Sequence, residues 1–159
     1  MKRMPFFHKL VASGFGTGYS PVAPGTCGAV LALLIWWGYA IFIDQQDFLR
    51  LVTMGLVFLF TILGVWSSNV AERYWGKDPS RVVVDEMVGT WITLLAVPDK
   101  THWGYAISAL ILFRFFDIIK PLGIRKMEKL PAGYGIMGDD ILAGIYGFIV
   151  LSIYKFWFT

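Results

Sequence analysis

The chain has 159 residues, of which 57% are hydrophobic and only 16% are charged, and its formal net charge is +3. Soluble domains usually carry about 25% charged residues, so this composition excludes a disordered chain, a coiled coil and most soluble folds. The single Cys27 excludes a disulfide framework. We interpret residues 1–159 as one membrane-embedded domain, and we assign its positive charge to membrane-surface loops rather than to nucleic-acid binding.

Five apolar segments are predicted to be helices, because no run of alternating polarity with hairpin signals indicates strands. The first two are long enough to cross a hydrocarbon core, which needs about 20 apolar residues. The middle two are shorter and either cross the bilayer or fold back from one side. The predicted fold class is all-α, an integral membrane bundle of four to five hydrophobic helices. The segments are 26–43, 49–67, 82–97, 103–119 and 141–158.

The lysines and arginines predict the orientation of these helices. With five crossings and a cytoplasmic N terminus, ten of them lie in inner connections and three in outer connections. Basic residues concentrate on the cytoplasmic side of membrane proteins, so this asymmetry favours the inner N terminus. It also predicts that the basic connection 120–138 and any polar site beside it face the cytoplasm.

The first polar segment, 14–26, precedes the first span and has the sequence GFGTGYSPVAPGT. Its backbone N–H groups and hydroxyls could bind an anion at the start of a helix. It is not a dinucleotide fingerprint, because no strand precedes it, and it is not a P-loop, because it has no Gly-Lys-Ser/Thr. The alternative is a re-entrant turn without a ligand. The candidate binding residues are Thr17, Ser20, Gly25 and Thr26.

Five carboxylates are predicted to meet at the cytoplasmic ends of three helices. Asp85 and Glu86 begin the third segment, Asp117 ends the fourth, and Asp139 and Asp140 precede the fifth. Ionisable groups at the edge of a bilayer are costly and are therefore functional candidates. A hard cation such as Mg²⁺ would relieve their repulsion, because it prefers oxygen ligands and keeps waters for a substrate phosphate. The alternative is that each carboxylate only caps a helix.

Arg114, Asp117 and Lys120 are spaced by three and are predicted to share one helical face, which ends before the proline that follows. The alternative is a solvated ladder of salt bridges, but the neighbouring carboxylates favour a phosphate-facing role. Lys126 and Lys129 lie in the same loop but off this face. We expect them to contribute only general attraction to an anionic lipid surface.

Four blocks of the sequence, in this order, resemble the phosphatidylglycerophosphatase A family over roughly residues 8–147. They are GTGYSPVAPGT (16–26), DPSRVVVDEMVGTW (78–91), FRFFDIIKP (113–121) and GYGIMGDDILAG (133–144). The resemblance implies an all-helical, magnesium-dependent enzyme of the bacterial inner membrane. Its implied reaction is the hydrolysis of phosphatidylglycerol phosphate to phosphatidylglycerol and phosphate. The implied partners are this lipid and the bilayer, with no nucleic acid.

The resemblance also implies roles for the candidate residues. The uncatalysed hydrolysis of phosphomonoesters is very slow, so strong electrostatic stabilisation by metal and cations is required. Arg114 and Lys120 would neutralise phosphate charge, and the 16–26 loop would bind phosphate or glycerol. Attack by water and a phosphoaspartyl intermediate at Asp117 both remain open. The carboxylates expected to bind Mg²⁺, one of them acting as base, are Asp85, Glu86, Asp139 and Asp140.

Two other classes of membrane protein also contain acidic residues near a bilayer. A small ion or proton-coupled transporter would be expected to place its acids near mid-membrane and to show an internal repeat. Here the acids fall at predicted helix ends and the sequence has no repeat. A structural membrane subunit would not need five acids on one face. The enzyme is therefore the preferred hypothesis.

Overall fold

The structure is a computed structural model that describes residues 3–158, and within this range it is all-helical, as predicted. Seven α-helices and one short 3-10 turn, Thr17–Tyr19, follow one another without a strand among the described residues. The helices are α1 (Phe6–Ala12), α2 (Pro24–Ala40), α3 (Gln46–Trp75), α4 (Val84–Leu94), α5 (Trp103–Ile119), α6 (Ile124–Met127) and α7 (Gly133–Phe158).

Two of these helices, α3 and α7, are long and apolar enough to cross a membrane, which is fewer than the four to five expected. α3 has 30 residues and is about 45 Å long at 1.5 Å per residue. It exposes large apolar side chains, including Phe48, Phe58 and Ile62. The segment 82–97 is shorter than predicted. Its helix has 11 residues, or about 16 Å, roughly half the hydrocarbon thickness.

The connection between α4 and α5 lies beside the connection between α2 and α3. The side-chain amide of Gln46 donates a hydrogen bond to the Val97 carbonyl at 3.0 Å. The Lys100 ammonium donates to the Ile43 carbonyl at 2.8 Å. We call this part of the bundle the far end. α4 and its following turn therefore reach the far end although the helix itself stops early.

The opposite end of the bundle, which we call the site end, gathers the remaining connections. The Val83 backbone N–H donates to the Ala12 carbonyl at 2.9 Å, which joins the start of α4 to α1. The Gly133 N–H donates to the Asn69 side chain at 2.9 Å, which joins the start of α7 to α3. The long helices thus alternate in direction, and the predicted polar segments lie at the same end.

α4 occupies the centre of the bundle, with α2, α3, α5 and α7 packed around it. Its Trp91 is fully buried and donates an indole hydrogen bond to the Ala32 carbonyl at 2.9 Å. α4 and α7 come into backbone contact where Gly89 faces Gly144. A Cβ on Gly144 would lie 2.6 Å from the Gly89 carbonyl oxygen, so only glycine permits this approach. The contact brings the first turn of α4 beside Asp140, which is the eighth residue of α7.

Candidate active site

Three carboxylates from two helices form an acidic triad at the site end. Asp85 and Glu86 lie in the first turn of α4, and Asp140 lies in the first half of α7. Each offers one oxygen, and these oxygens lie within 4.8 Å of one another. Asp85 and Asp140 are buried. The close crossing of α4 and α7 therefore produces the convergence that the sequence predicted for these residues.

Arg114 joins α5 to the acidic triad. Its guanidinium is hydrogen-bonded to Asp117, one turn further along the same helix. The same nitrogen, Nη1, lies 3.8 Å from Glu86 Oε1. The predicted helical face of Arg114 and Asp117 thus points into the site, and the guanidinium bridges carboxylates of two helices.

Lys120 joins the end of α5 to α7. It adopts a left-handed conformation with φ of 49°, directly before Pro121, and α5 ends there as predicted. Its ammonium is hydrogen-bonded to Asp139 and lies 2.7 Å from Glu128 Oε1. Partial burial lowers the pKa of Lys120, but these bonds outweigh it and raise the pKa above its ordinary value. The side chain therefore remains a cation at any assay pH.

The charges of the site do not balance. Five carboxylates, including Asp117 and Asp139, share two cations, and among residues 3–158 no cation lies within ion-pair distance of Asp85 or Asp140. Glu86 Oε2 and Asp139 Oδ1 are buried without a hydrogen-bond partner. Buried charges are unfavourable unless they are paired or bind a metal. An all-oxygen donor set with unused oxygens fits a hard divalent cation.

The 14–26 loop reaches the site through one of its predicted residues. A Cβ on Gly25 would overlap Glu86 Oε1 and lie 3.2 Å from Arg114 Nη1, so the start of α2 lies directly against this pair. The next residue, Thr26, is half-buried. The hydroxyls of Thr17 and Ser20 donate to local carbonyls at 2.9 and 2.8 Å. The binding roles of all four residues stay predictions.

Sequence reasoning missed Glu128, which lies in the basic connection eight residues after Lys120. Its carboxylate contacts the Lys120 ammonium, and its side chain is 44% exposed. No helical spacing relates the two positions, so no periodic signal in the sequence marks this pair. Lys129, which was expected to contribute only general attraction to lipid, lines a cavity that reaches Asp139. Lys126 is not part of that lining.

A helical bundle that brings five carboxylates and two cations together at one end has the groups that a metal-assisted phosphohydrolase needs. The sequence model of the phosphatidylglycerophosphatase A family matches residues 10–155. The chain belongs to this family and is a phosphatase.

Three relatives illustrate the similarity. Phosphatidylglycerophosphatase A of Haemophilus influenzae is 40% identical over 93% of this chain and 88% of the relative. Its namesake in Escherichia coli is 36% identical over 86% of this chain and 76% of the relative. A Bacteroides thetaiotaomicron protein, provisionally named a phosphatidylinositol-3-phosphatase, is 54% identical over 96% of both chains. No solved structure shows a significant match.

Proposed function

We propose that the protein hydrolyses the terminal phosphomonoester of phosphatidylglycerol phosphate, with Mg²⁺, at the cytoplasmic face of the bacterial inner membrane. The observation that carries this proposal is the acidic triad, buried beside two cations in a chain of this family. The triad provides oxygen ligands, and the cations provide charge for a phosphate.

In this proposal Asp85, Glu86 and Asp140 hold Mg²⁺, and Asp139 completes the ligand set or acts as base. When bound, the ion supplies Lewis-acid polarisation of the phosphoryl oxygens. The buried, unpartnered Oδ1 of Asp139 supports a role in accepting the proton of the attacking water. The water oxygen forms the new P–O bond, the bond to the glycerol oxygen breaks, and that oxygen leaves with a proton from solvent.

Arg114 and Lys120 stabilise the negative charge of the phosphate as it reacts. Both are cations held in place by carboxylates, so they need little reorganisation during the reaction. The guanidinium of Arg114 is hydrogen-bonded to one carboxylate oxygen of Asp117, Oδ2. In this proposal Asp117 orients Arg114, and a water molecule makes the attack on phosphorus.

The loop before α2 contributes the phosphate or glycerol contacts. Gly25 lies against Glu86 and Arg114, so a substrate phosphate at the site meets the first turn of α2 there. Thr17, Ser20 and Thr26 complete this proposed surface. The missing Cβ of Gly25 lets the first turn of α2 lie directly against Glu86.

We also propose that α2, α4 and α5 lie in the bilayer with α3 and α7, so that the site end faces the cytoplasm. The alternating directions of these helices support five passages through the membrane region. Single cysteines placed near positions 78 and 130, in a Cys27→Ser background, should resist impermeant thiol reagents in intact cells. Efficient labelling from outside at either position would contradict this orientation.

Phosphate release from phosphatidylglycerol phosphate in mixed micelles, with purified protein, tests the activity directly. Release should require Mg²⁺, stop with excess chelator and resume when Mg²⁺ is restored. Asp140→Asn should remove it, whereas the exposed Asp44→Asn at the far end should not. A protein that releases no phosphate with Mg²⁺ present would refute the proposed function.

A second candidate substrate is phosphatidylinositol 3-phosphate. The 54% identity with the Bacteroides relative of that provisional name supports it. Both lipids carry a phosphomonoester on a polyol that a phosphodiester joins to the lipid. The same assay with both lipids at equal surface concentration decides between them by their kcat/KM values.

A further inference from the structure

A polar cavity of about 550 Å³ opens at the site end and reaches Asp139. Its walls come from the end of α3, from the turn at 77–78, from the 125–132 connection and from the first turns of α7. Asp139 is hydrogen-bonded to Lys120, so the inner end of the cavity adjoins the site. A molecule whose phosphate lies at the site would extend its remaining polar part into this space.

The cavity wall carries cations that the described protein leaves unpaired. Lys77, Arg125 and Lys129 line it, and within residues 3–158 no carboxylate lies within ion-pair distance of any of them. They come from two separate chain segments that meet across the cavity. Of the four carboxylates in the lining, Glu128 and Asp139 are paired with Lys120, so the three unpaired cations favour an anionic group in the cavity.

The same wall also carries hydrogen-bond acceptors. Glu72 and Asp78 line the cavity, and Glu72 Oε1 accepts the backbone N–H of Asp78 at 3.3 Å. Carboxylates bind hydroxyl groups as acceptors, but they repel a second phosphate and disfavour an acyl chain. The lining therefore fits a group with hydroxyls and one anionic centre, which is a polyol joined through a phosphodiester.

We propose that this cavity is the head-group subsite, and that Lys129 with Arg125 and Lys77 binds the phosphodiester of the lipid while its polyol lies between that phosphodiester and the site. The inference rests on the proposed function and narrows its substrate class. The enzyme acts on phosphomonoesters carried by a polyol on a phosphodiester. It discriminates against phosphatidate, whose phosphomonoester is attached directly to diacylglycerol.

The test compares two lysines of one loop that lie three residues apart. Lys129→Gln and Lys126→Gln remove the same charge, but only Lys129 lines the cavity. The purified full chain is assayed on phosphatidylglycerol phosphate, phosphatidylinositol 3-phosphate and phosphatidate with identical acyl chains. The wild type should prefer at least one of the first two over phosphatidate by at least about tenfold in kcat/KM. Lys129→Gln should reduce that preference about tenfold, on the scale of one charge-assisted contact, and Lys126→Gln should not.

Binding of water-soluble head groups separates this inference from the proposed function. Deacylated phosphatidylglycerol phosphate should bind more tightly than glycerol 3-phosphate in calorimetry, whether or not turnover is observed, and Lys129→Gln should remove the difference. Equal binding of both compounds by the wild type would overturn the subsite. So would a Lys129→Gln protein that behaves like Lys126→Gln. Tight binding without phosphate release would instead retain the subsite and refute only the proposed reaction.

Discussion

The two ends of the bundle differ in how their charged side chains are exposed to solvent and paired. At the far end, Lys100 pairs with a fully exposed Asp44 at 2.9 Å, and Arg50 pairs with exposed Asp47 on the same helix. Exposed ion pairs of this kind contribute about 0–1 kcal/mol to the free energy of unfolding. At the site end, five carboxylates and two cations are withdrawn from solvent and leave a negative excess. Charged side chains at the far end lie on the solvent-exposed surface. Those at the site end are largely buried, which lowers the stability of the fold and is typical of functional sites.

The largest expected effect comes from removing a triad carboxylate. Asp140→Asn and Glu86→Gln should each lower kcat by about a thousandfold or more, because each deletes a metal ligand and an electrostatic contact in a buried site. Asp44→Asn at the far end is the matched control and should keep wild-type turnover. Steady-state kinetics with Mg²⁺ measures all three. Near-normal turnover of both triad variants would show that the carboxylates of the site end are no more important for activity than those of the far end.

The next effect concerns thermal stability, which Asp140→Asn should increase although it lowers kcat. Without metal, Asp140→Asn should raise Tm by a few degrees, because it relieves repulsion among buried carboxylates. Mg²⁺ should raise Tm of the wild type by binding the folded state and should do so much less in the variant. Thermal unfolding in detergent, with and without Mg²⁺, measures both shifts. Equal Mg²⁺ shifts in the two proteins would contradict metal binding by the triad.

Substitution of Lys120 should lower kcat by about a hundredfold. Lys120→Met removes one cation beside Asp139, and loss of one electrostatic donor lowers kcat by about 10²–10³-fold. Lys126→Met, in the following connection, should change turnover only slightly and only at low salt. Kinetics at two ionic strengths distinguishes the two variants. If they behave alike, Lys120 contributes only general surface charge at the site end.

The smallest effect should follow from breaking a far-end pair. Arg50→Gln removes the contact with Asp47, and the free energy of unfolding should fall by less than about 0.5 kcal/mol. Activity should be unchanged. Denaturant unfolding and a phosphate-release assay on the same sample provide both values. A decrease of several kcal/mol in the free energy of unfolding would show that the charge pairs of the far end are important for stability.

Much of this arrangement could be predicted from the sequence, because apolar segments and the acids beside them are local signals. The start of α7 differs from the prediction: the helix begins at Gly133, so Asp139 and Asp140 lie about two turns inside it. The triad residues and the pair formed by Arg114 and Asp117 converge as predicted. The extent of α4 was overestimated, since the apolar run continues to Val97 while the helix ends at Leu94, shortly before Pro98.

The connection between α5 and α7 could not be predicted in the same way. Leu122 and Ala132 adopt positive φ angles without being glycine, and such turns carry no periodic pattern in the sequence. Their conformations direct the chain so that Glu128 contacts Lys120 and Lys129 lines the cavity. Tertiary packing, rather than local preference, determines these two positions.

The contact between Gly89 and Gly144 has a consequence for ion size. Two backbones in direct contact cannot move apart without losing packing or closer together without overlap, so the backbones that carry Glu86 and Asp140 keep a nearly fixed separation. Oxygen ligands lie about 2.0–2.1 Å from Mg²⁺ and about 2.3–2.6 Å from Ca²⁺. A site with a fixed backbone separation fits one of these two metal–oxygen distances better than the other. In the proposed metal site, the glycine pair therefore limits how far the acidic triad can adapt to a larger ion.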